Sequence, residues 1–245
     1  MVLFITAGCA NTPQASIPTA TAVPAVEETA AEAAEAVTET APAEEPAAEE
    51  PVAEEATAPA EAETVSELAA SGRNKLVIYF SRTGEQYTVG VIEKGNTAIV
   101  SEMIAEIADA DTFEVLPVDD HYPMTYNALT DIAKQEQNDK ARPEYAGTLP
   151  DLAQYDTIFI GAPVWWGDWP MIMYTLFEGN DFSGKKLVPF STHEGSGLSG
   201  FDRKLADACP NAEILTGLAI RGNDCQNRQD VVRESVASWL SGLDL

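Results

Sequence analysis

Five short apolar runs mark the second part of the chain, and stretches with helical spacing of apolar residues separate them. The runs fall at 75–80, 112–118, 156–162, 186–191 and 212–220. Most are nearly continuous in apolar residues, as expected for strands that are covered on both faces. Helices are predicted over 97–109, 125–140, 170–179, 199–208 and 228–241. This alternation predicts an α/β domain, a three-layer doubly wound sandwich around a five-stranded parallel sheet.

The connections in such a sheet decide where a ligand can bind. Five strands fit the spatial order 2-1-3-4-5, in which ligands lie beyond the carboxyl ends of the strands, near the first and the third. Three loops follow strands at that edge, at 81–96, 163–169 and 192–198. The periodicity indicates an α/β fold without itself choosing the strand order.

Composition separates this domain from the part of the chain that precedes it. Up to Gly72 the chain has fourteen Glu and no Asp, Lys or Arg. Residues 10–72 are rich in Ala, Glu, Pro and Thr and contain no aromatic residue, so we predict a mainly disordered acidic linker. Residues 73–245 hold 26 acidic and all 14 basic residues. That acidic domain argues against nucleic acid as a partner and suits a protein partner with a basic surface.

The first nine residues, MVLFITAGC, resemble the end of a lipoprotein signal. In that motif the cysteine, here Cys9, is lipidated and becomes the mature N-terminus. Thr6 stands where Leu is usual and no basic segment precedes the short apolar run, so we expect the true start upstream. The expectation is an extracytoplasmic domain held to the membrane by lipid on Cys9. The alternative is a cytoplasmic protein with a chance cysteine.

The loop after the first strand begins SRTG and ends GNT, with eleven residues between Gly84 and Asn96. Hydroxyls and amides beside a helix N-terminus bind a phosphate without a counter-cation. Asn96 also suits the N-cap of the helix that follows. A nucleoside-triphosphate loop is the weaker interpretation, because Asn96 stands where the phosphate-binding Lys belongs. The alternating segment QYTVGVIE suggests a small hairpin or flap within the loop.

The other two loops contain residues suited to a flat ligand. PVWWGDWP, after the third strand, has three Trp in five residues, and we predict that at least one is a stacking platform. The alternative is that one or two of them pack beneath the helix that follows. THEGSGLSG, after the fourth strand, lets the backbone come close to a ligand through its glycines. Its lone His193 does not belong to a hydrolase motif.

Together the three loops resemble those of the flavodoxin family, in the same order and after the same strands, over residues 75–241. FSRTG resembles the opening of the family's phosphate loop, and WWGD resembles its aromatic–Gly–Asp turn beside the flavin ring. THEGSG occupies the position of the second flavin loop. The resemblance implies the flavodoxin-like strand order 2-1-3-4-5 and non-covalent binding of FMN, with residues 85–95 as an excursion within the phosphate loop.

The resemblance also implies which residues contact FMN. The phosphate would lie against Ser81, Thr83 and Gly84, with Arg82 in the same loop and Asn96 and Thr97 completing the site. Trp166 would stack near the isoalloxazine with Trp165 or Trp169 next to it. The peptide between Gly167 and Asp168 would approach flavin N5. Pro163 and Val164, earlier in the same loop, would also contact the flavin. The pyrimidine edge would face Thr192, His193, Glu194, Gly195, Ser196 and Gly197.

The function implied is electron transfer, with two alternatives. APVWWGDWP also resembles a turn of the NAD(P)H:quinone reductases, which share this fold, so an FMN-dependent oxidoreductase stays open. A binding domain without cofactor is the third possibility. We predict no catalytic residue and no metal ligand. A strand lies between Cys209 and Cys225 in sequence, so we expect no disulfide between them.

Overall fold

The computed structural model describes residues 74–245. The predictions for Cys9 and for the linker at 10–72 lie outside the described residues. Within them, no helix is both long enough and apolar enough to cross a membrane.

The described residues form one main parallel sheet, a separate hairpin and six α-helices. The strands are β1 (Lys75–Tyr79), β2 (Gly84–Gln86), β3 (Gly90–Ile92), β4 (Asp111–Glu114), β5 (Thr157–Pro163), β6 (Lys186–His193), β7 (Glu213–Ile214) and β8 (Leu218–Arg221). The helices are α1 (Asn96–Ala108), α2 (Tyr126–Asp139), α3 (Met171–Gly179), α4 (Phe201–Ala208), α5 (Gly222–Asn227) and α6 (Gln229–Ser241), with a 3₁₀ turn at Leu152–Gln154.

The strand order in the main sheet is β4-β1-β5-β6-β7, and β8 also pairs with β6. All these pairings are parallel. Counting β7 and β8 as one interrupted strand, this is the predicted order 2-1-3-4-5. The doubly wound α/β prediction is therefore confirmed.

Both faces of the sheet are buried, which explains the continuous apolar runs. Along β1, Leu76 and Ile78 pack into a cluster with residues of α2, α3 and α4 on one face. Val77, between them, packs with residues of α1, α5 and α6 on the other face. Because successive strand residues point to opposite faces, a strand between two helical layers needs apolar residues at every position.

The fifth strand was predicted as one run over 212–220, and this is wrong in detail. The structure has two pieces, β7 and β8, separated by residues 215–217. The carbonyl oxygen of Leu187 accepts a hydrogen bond from Leu215 N–H. Every second residue of β6, counted from Leu187, therefore directs its backbone N–H and carbonyl groups toward the fifth strand. Pro189 is the next such residue and has no N–H to donate, which accounts for the interruption of the ladder.

Three other elements differ from prediction. The second strand of the sheet, predicted over 112–118, ends at Glu114, and Pro117 forms an isolated antiparallel bridge with Tyr145. The short helix α5 was not predicted. The N-cap of α1 is Gly95, and Asn96 is the first helical residue.

The hairpin predicted within the long loop is confirmed as β2 and β3, which pair antiparallel.

The two cysteines lie on opposite sides of the sheet. Cys209 belongs to the cluster on the α2–α4 face and Cys225 to the cluster on the α1–α6 face, and both are free thiols. Burial raises the pKa of Cys209 to about 11 and that of Cys225 to about 12. The sheet itself therefore separates them, and both remain protonated and unreactive at neutral pH.

Candidate cofactor-binding site

The two ends of the long loop after β1 meet at the N-terminus of α1. Ser81 Oγ accepts a hydrogen bond of 3.0 Å from the backbone N–H of Ala98. A Cβ atom at Gly95 would lie 2.1 Å from Ser81 Oγ and 2.8 Å from the carbonyl oxygen of Arg82, so only glycine allows this approach. The hairpin leaves and returns between these points. SRTG and GNT are therefore one site in space.

Uncharged donors and acceptors lie at this helix N-terminus, and Glu194 Oε1 and Asn96 Nδ2 lie 2.8 and 2.3 Å from the position of a Cβ atom at Gly222. Thr97 Oγ1 and Thr192 Oγ1 lie 2.8 Å apart and are both buried, which joins α1 to the end of β6. Asn96 Oδ1 accepts a hydrogen bond of 2.7 Å from Gln226 Nε2, which orients the Asn96 amide. The first N–H groups of a helix have no partner within the helix. Such an arrangement favours an anion without requiring a basic side chain.

Arg82 turns away from this N-terminus. Its Nη1 donates to both carboxylate oxygens of Asp120, at 2.8 and 2.7 Å, and its Nη2 donates to the carbonyl oxygen of Tyr122 at 2.8 Å. The guanidinium carbon lies 5.5 Å from the centre of the Tyr122 ring. The side chain is thus bound to the 120–122 segment. The backbone of Arg82 stays beside the N-cap, since a Cβ atom at Gly95 would lie 3.1 Å from Arg82 N and 2.8 Å from its carbonyl oxygen.

A cavity of about 480 Å³ opens at the carboxyl ends of the strands, next to the α1 N-terminus. Ten of the eighteen predicted binding residues line it: Asn96, Pro163, Val164, Trp165, Trp166, Thr192, His193, Glu194, Gly195 and Ser196. The other eight do not: Ser81, Arg82, Thr83, Gly84, Thr97, Gly167, Asp168 and Gly197. Asn96 belongs to the helix N-terminus and to the cavity wall, so the anion site and the cavity adjoin.

Trp166 lies on the wall formed by α2. Its Nε1 donates a hydrogen bond of 2.8 Å to the carbonyl oxygen of Thr130, and Lys134 Nζ lies 5.0 Å from the centre of the ring. Its backbone has a φ of +51°, which non-glycine residues rarely adopt. The side chain is still 53% exposed. An indole held in place and left open to a cavity is the arrangement a stacking platform needs.

The two other tryptophans of this loop lie deeper. Trp165 is half-buried and its ring packs edge-on against Phe80 and Tyr122 at centroid distances of 5.4 and 5.2 Å. Trp169 is only 1% exposed and stacks on Phe201 at 3.6 Å. Trp165 is therefore the neighbour of Trp166 at the cavity. Trp169 is a core residue beneath α3 and α4, and its suggested place at the flavin is wrong.

Gly167 and Asp168 form the tight turn that keeps the Trp166 side chain out of the core. Trp165 and Asp168 exchange backbone hydrogen bonds of 3.0 and 2.9 Å across the turn. Asp168 Oδ1 accepts hydrogen bonds from Trp169 N–H and from the Tyr174 hydroxyl, and lies 3.1 Å from Lys204 Nζ. The Asp168 carboxylate is thus used within the protein. Its observed role is to fix the turn.

The loop after β6 contributes one neutral and one charged side chain to the cavity. His193 Nδ1 accepts a hydrogen bond of 2.9 Å from Gly195 N–H, so the neutral ring carries its proton on Nε2. Burial lowers the pKa of His193, which keeps the ring neutral at pH 7. Glu194 Oε1 accepts a hydrogen bond of 2.7 Å from Asn223 N–H at the start of α5. The cavity therefore contains a neutral imidazole beside a carboxylate.

Part of the cavity was missed by the sequence analysis. It is formed by the hairpin and by one face of α2, and its residues are Gln86, Tyr87, Tyr126, Leu129, Thr130 and Ala133, together with Gly222 at the start of α5. The α2 residues recur at intervals of three and four, so they share one helical face. That spacing was visible in the sequence, but nothing in it placed this face at the cavity.

The comparisons with known proteins agree with this geometry. A family model described as Flavodoxin matches residues 74–240, which is well over half of the chain. The chain belongs to the flavodoxin family. The match covers β1 through most of α6, so all three loops of the site lie within the part shared with flavodoxins.

Two solved structures are similar to this flavodoxin-family chain. A candidate flavoprotein from Bacteroides uniformis is 30% identical, with 69% of this chain and 97% of that chain covered and a TM-score of 0.55. A second, from Bacteroides eggerthii, is 27% identical, with 65% and 97% covered and a TM-score of 0.51. A comparison with curated protein sequences finds no match.

Proposed function

We propose that this flavodoxin-family domain binds FMN non-covalently and transfers electrons to or from a partner protein. One observation carries the proposal. At the carboxyl ends of β1, β5 and β6, a helix N-terminus suited to an anion adjoins an aromatic cavity, and Asn96 belongs to both. A ligand that fits both has a phosphate at one end and a flat ring system at the other, which describes FMN.

The residues present fit the two ends of FMN. At the phosphate end, Gly95 leaves no space for a Cβ atom, and Ser81 Oγ accepts from Ala98 N–H while its own O–H remains available as a donor. At the ring end, Trp165 and Trp166 supply aromatic surface and the 192–196 segment supplies backbone and side-chain polar groups. The phosphate end, built from hydroxyl and amide groups, and the aromatic ring site together match the family's cofactor.

FMN, when bound, supplies the electron chemistry, and the protein supplies position and electrostatics. The Trp166 turn and the aromatic contacts of Trp165 hold the ring site in place before a ligand arrives. His193 offers an Nε2–H donor without adding a charge. Glu194 places a negative charge at the cavity wall, which disfavours additional negative charge there and lowers the tendency to accept electrons.

The lining of the cavity favours a carrier over an enzyme that binds NADPH directly. Among the described residues that line it, none is Lys or Arg. A nicotinamide dinucleotide carries phosphate charges beyond the single phosphate that the α1 N-terminus could hold, and basic side chains are the usual partners for such additional groups. The acidic domain instead suits a protein partner with a basic surface, whose approach it would accelerate.

The proposal extends to the location of the domain. Cys9, preceded by a short apolar run and small residues, would carry a lipid and hold the domain outside the cytoplasmic membrane through the acidic segment at 10–72. Expression with radiolabelled palmitate tests this. We expect label in the chain when a basic and apolar segment is placed before residue 1, and none in the Cys9→Ala variant of the same protein, and equal labelling of the two would refute the anchor.

Titration of the purified protein with FMN, followed by flavin absorbance and fluorescence, tests the central proposal. Trp166→Ala should weaken FMN binding more than tenfold, because about 1 kcal/mol of stacking is lost along with buried apolar surface. Trp239→Ala is the matched control. Trp239 Nε1 also donates to a backbone carbonyl, that of Thr216, but the residue lies outside the cavity, so FMN affinity should not change.

The phosphate end needs a separate comparison. Thr83→Ala should weaken binding of FMN much more than binding of riboflavin, since riboflavin has no phosphate. No flavin absorbance in the wild-type protein after incubation with excess FMN would refute FMN binding. Rapid reduction of bound FMN by NADPH with a quinone present would replace the carrier by a reductase.

A further inference from the structure

The side chain of Lys204, near the start of α4, joins two of the loops that form the site. Its ammonium donates hydrogen bonds to the carbonyl oxygen of Gly167, in the loop after β5, and to that of Ser199, in the segment after β6. It also forms an ion pair with Asp168, with 3.1 Å between Nζ and Oδ1. We infer that Lys204 is a positioning residue for the ring site, which holds the turn that carries Trp166 and neutralises the Asp168 carboxylate beside it. The inference rests on the proposed function in that Trp166 is the platform for FMN.

The turn that carries Trp166, residues 165–168, has an unfavourable backbone conformation. Its two central residues, Trp166 and Gly167, have φ of +51° and +74°, as in a type I′ turn. Glycine adopts positive φ freely, but a residue with a Cβ atom rarely does, so surrounding contacts have to maintain the conformation of Trp166. Two backbone hydrogen bonds between Trp165 and Asp168 close the turn. Neither of them involves the Gly167 carbonyl, which is the group that Lys204 holds.

Two helices contact this turn. From α2, the carbonyl oxygen of Thr130 accepts a hydrogen bond of 2.8 Å from the Trp166 indole, and Gln137 Nε2 donates a long one of 3.4 Å to the Trp166 carbonyl. From α4, Lys204 binds the carbonyl of the next residue with an ammonium, and hydrogen bonds from charged donors are stronger than those between neutral groups. We therefore expect the backbone of the turn to depend on Lys204 more than on Gln137.

Helix formation does not account for a lysine at this position. Gly200 is the N-cap of α4, and Lys204 is the fourth helical residue, with its N–H bonded to the Gly200 carbonyl. A cation in the first turn of a helix is unfavourable, because the helix dipole is positive at that end. The ammonium instead lies against two carbonyl oxygens and a carboxylate, and only 23% of the side chain is exposed. The contacts with the two loops are thus what favours a lysine here.

The ion pair also sets the charge beside the ring site. The Asp168 side chain is 22% exposed, and two further partners of its carboxylate, the Trp169 N–H and the Tyr174 hydroxyl, are uncharged. Lys204 supplies the compensating positive charge. Asp168 lies two residues from Trp166, so loss of the ammonium alone would leave a partly buried negative charge next to the platform. Such a charge opposes the addition of an electron to a bound flavin.

Backbone NMR order parameters of the cofactor-free protein test the positioning role. In Lys204→Met, the order parameters of the Gly167 and Asp168 N–H groups should fall from about 0.85, the value of a rigid backbone, to below about 0.6. The order parameter of Val77, fully buried in β1, should not change. Arg203→Met is the control, because Arg203 is an exposed cation next to Lys204 on α4, and it should leave all three values unchanged.

Two outcomes of this measurement would overturn the positioning role. One is a turn that stays as rigid in Lys204→Met as in the wild type. The other is an equal loss of order at Val77, since Lys204 would then be required for the fold as a whole rather than for the turn.

The midpoint potential of the FMN-loaded protein tests the role of the charge. Lys204→Met should lower the potential, because the Asp168 carboxylate is left without its cation. Adding Asp168→Asn should return the potential toward the wild-type value, since the amide oxygen can still accept from Trp169 N–H. Arg203→Met removes the same charge from the protein and should lower the potential by less. An equal decrease for the two single variants, or no recovery in the double variant, would overturn this role.

Failure of this inference and failure of FMN binding are distinguishable. If the wild-type protein does not bind FMN, the proposed function fails, and the order parameters of the cofactor-free protein still decide whether Lys204 fixes the turn. If FMN binds and the turn stays rigid in Lys204→Met, only the positioning role is wrong. With both correct, Lys204→Met should weaken FMN binding by a smaller factor than Trp166→Ala, because the ring loses its position but keeps its stacking surface.

Discussion

Ser81 Oγ accepts a hydrogen bond from the backbone N–H of Ala98, seventeen residues further along the chain. This contact closes the long loop after β1 and places a hydroxyl at the N-terminus of α1. Gly95, the N-cap, has no side chain to satisfy these N–H groups. Ser81 therefore performs from a distance the capping that a Ser, Thr or Asn at the N-cap performs locally.

Ser81→Ala should lower the free energy of unfolding by about 1 kcal/mol, the usual cost of losing a capping oxygen. Urea denaturation measures this. Ser235→Ala is the control, because the Ser235 hydroxyl donates only to the carbonyl of Val231 within α6. Alanine is the better helix former, so this variant should be neutral or slightly stabilised. Equal effects of the two substitutions would contradict a capping role for Ser81.

The hairpin supplies a second pair of matched variants. Gly84 has a φ of +86°, and a Cβ atom there would lie 2.7 Å from the carbonyl oxygen of Met124. Gly90 has a φ of +92° with no other atom within 4 Å of such a Cβ. Gly90→Ala should cost about 1 kcal/mol for the backbone conformation alone, and Gly84→Ala should cost more because of the contact with Met124.

Hydrogen exchange at Glu85 N–H, which donates to Met124, measures the local effect of these substitutions. Exchange should be faster in Gly84→Ala than in Gly90→Ala. The same exchange rate in both would show that the hairpin can shift away from Met124 without cost.

The sequence predicts the sheet well because its signals are local. Apolar residues at successive positions of β1, such as Leu76, Val77 and Ile78, indicate a strand covered on both faces, and the structure buries all three. The interruption of the fifth strand was not predictable in this way. It depends on Pro189 in the neighbouring β6, and a prediction made strand by strand does not use the neighbour's missing N–H.

For the site, too, local features of the sequence could be predicted and contacts with distant residues could not. The 163–166 and 192–196 segments were predicted, because each follows a strand directly and the sheet brings the ends of parallel strands together. The contacts of the Arg82 side chain with Asp120 and of the Trp169 ring with Phe201 were not predictable in this way, since these partners are distant in sequence. The α2 face was missed because the hairpin that makes it a cavity wall has no counterpart in the family pattern.

His121 provides a pH-dependent contribution to stability. Burial lowers its pKa, but hydrogen bonds to the carbonyl of Asp119 and to the carboxylate of Glu136 outweigh this, so the pKa is raised overall. Glu136 is buried and also accepts from the Tyr122 hydroxyl. Because the pKa of His121 is raised in the folded state, its contribution to the free energy of unfolding is fully present below the unfolded-state pKa, about 6.5. That contribution is lost as the pH rises through the folded-state pKa.

The stability difference between the wild type and His121→Asn should therefore be larger at pH 6 than at pH 8.5, when both are measured by urea denaturation. His193 is present in both proteins, so its own titration cancels from the difference. Glu136→Gln should reduce the pH dependence of the His121 contribution, and the hydrogen bond to the Asp119 carbonyl should preserve part of it. A difference that grows as pH rises would mean that His121 stabilises the fold as a neutral ring.

Glu194 should lower the reduction potential of bound FMN. Its carboxylate lines the cavity, and adding an electron to a ring nearby increases negative charge against it. Glu194→Gln removes the charge while the amide oxygen can still accept from Asn223 N–H, which the carboxylate does at 2.7 Å. The midpoint potential should rise by on the order of 50 mV, since about 1.4 kcal/mol corresponds to 59 mV for one electron. Spectroelectrochemical titration measures it, and Glu234→Gln on α6, outside the cavity, controls for the change in net charge. An equal rise in both variants would assign the effect to the acidic surface as a whole, and no rise in Glu194→Gln would place this carboxylate away from the ring.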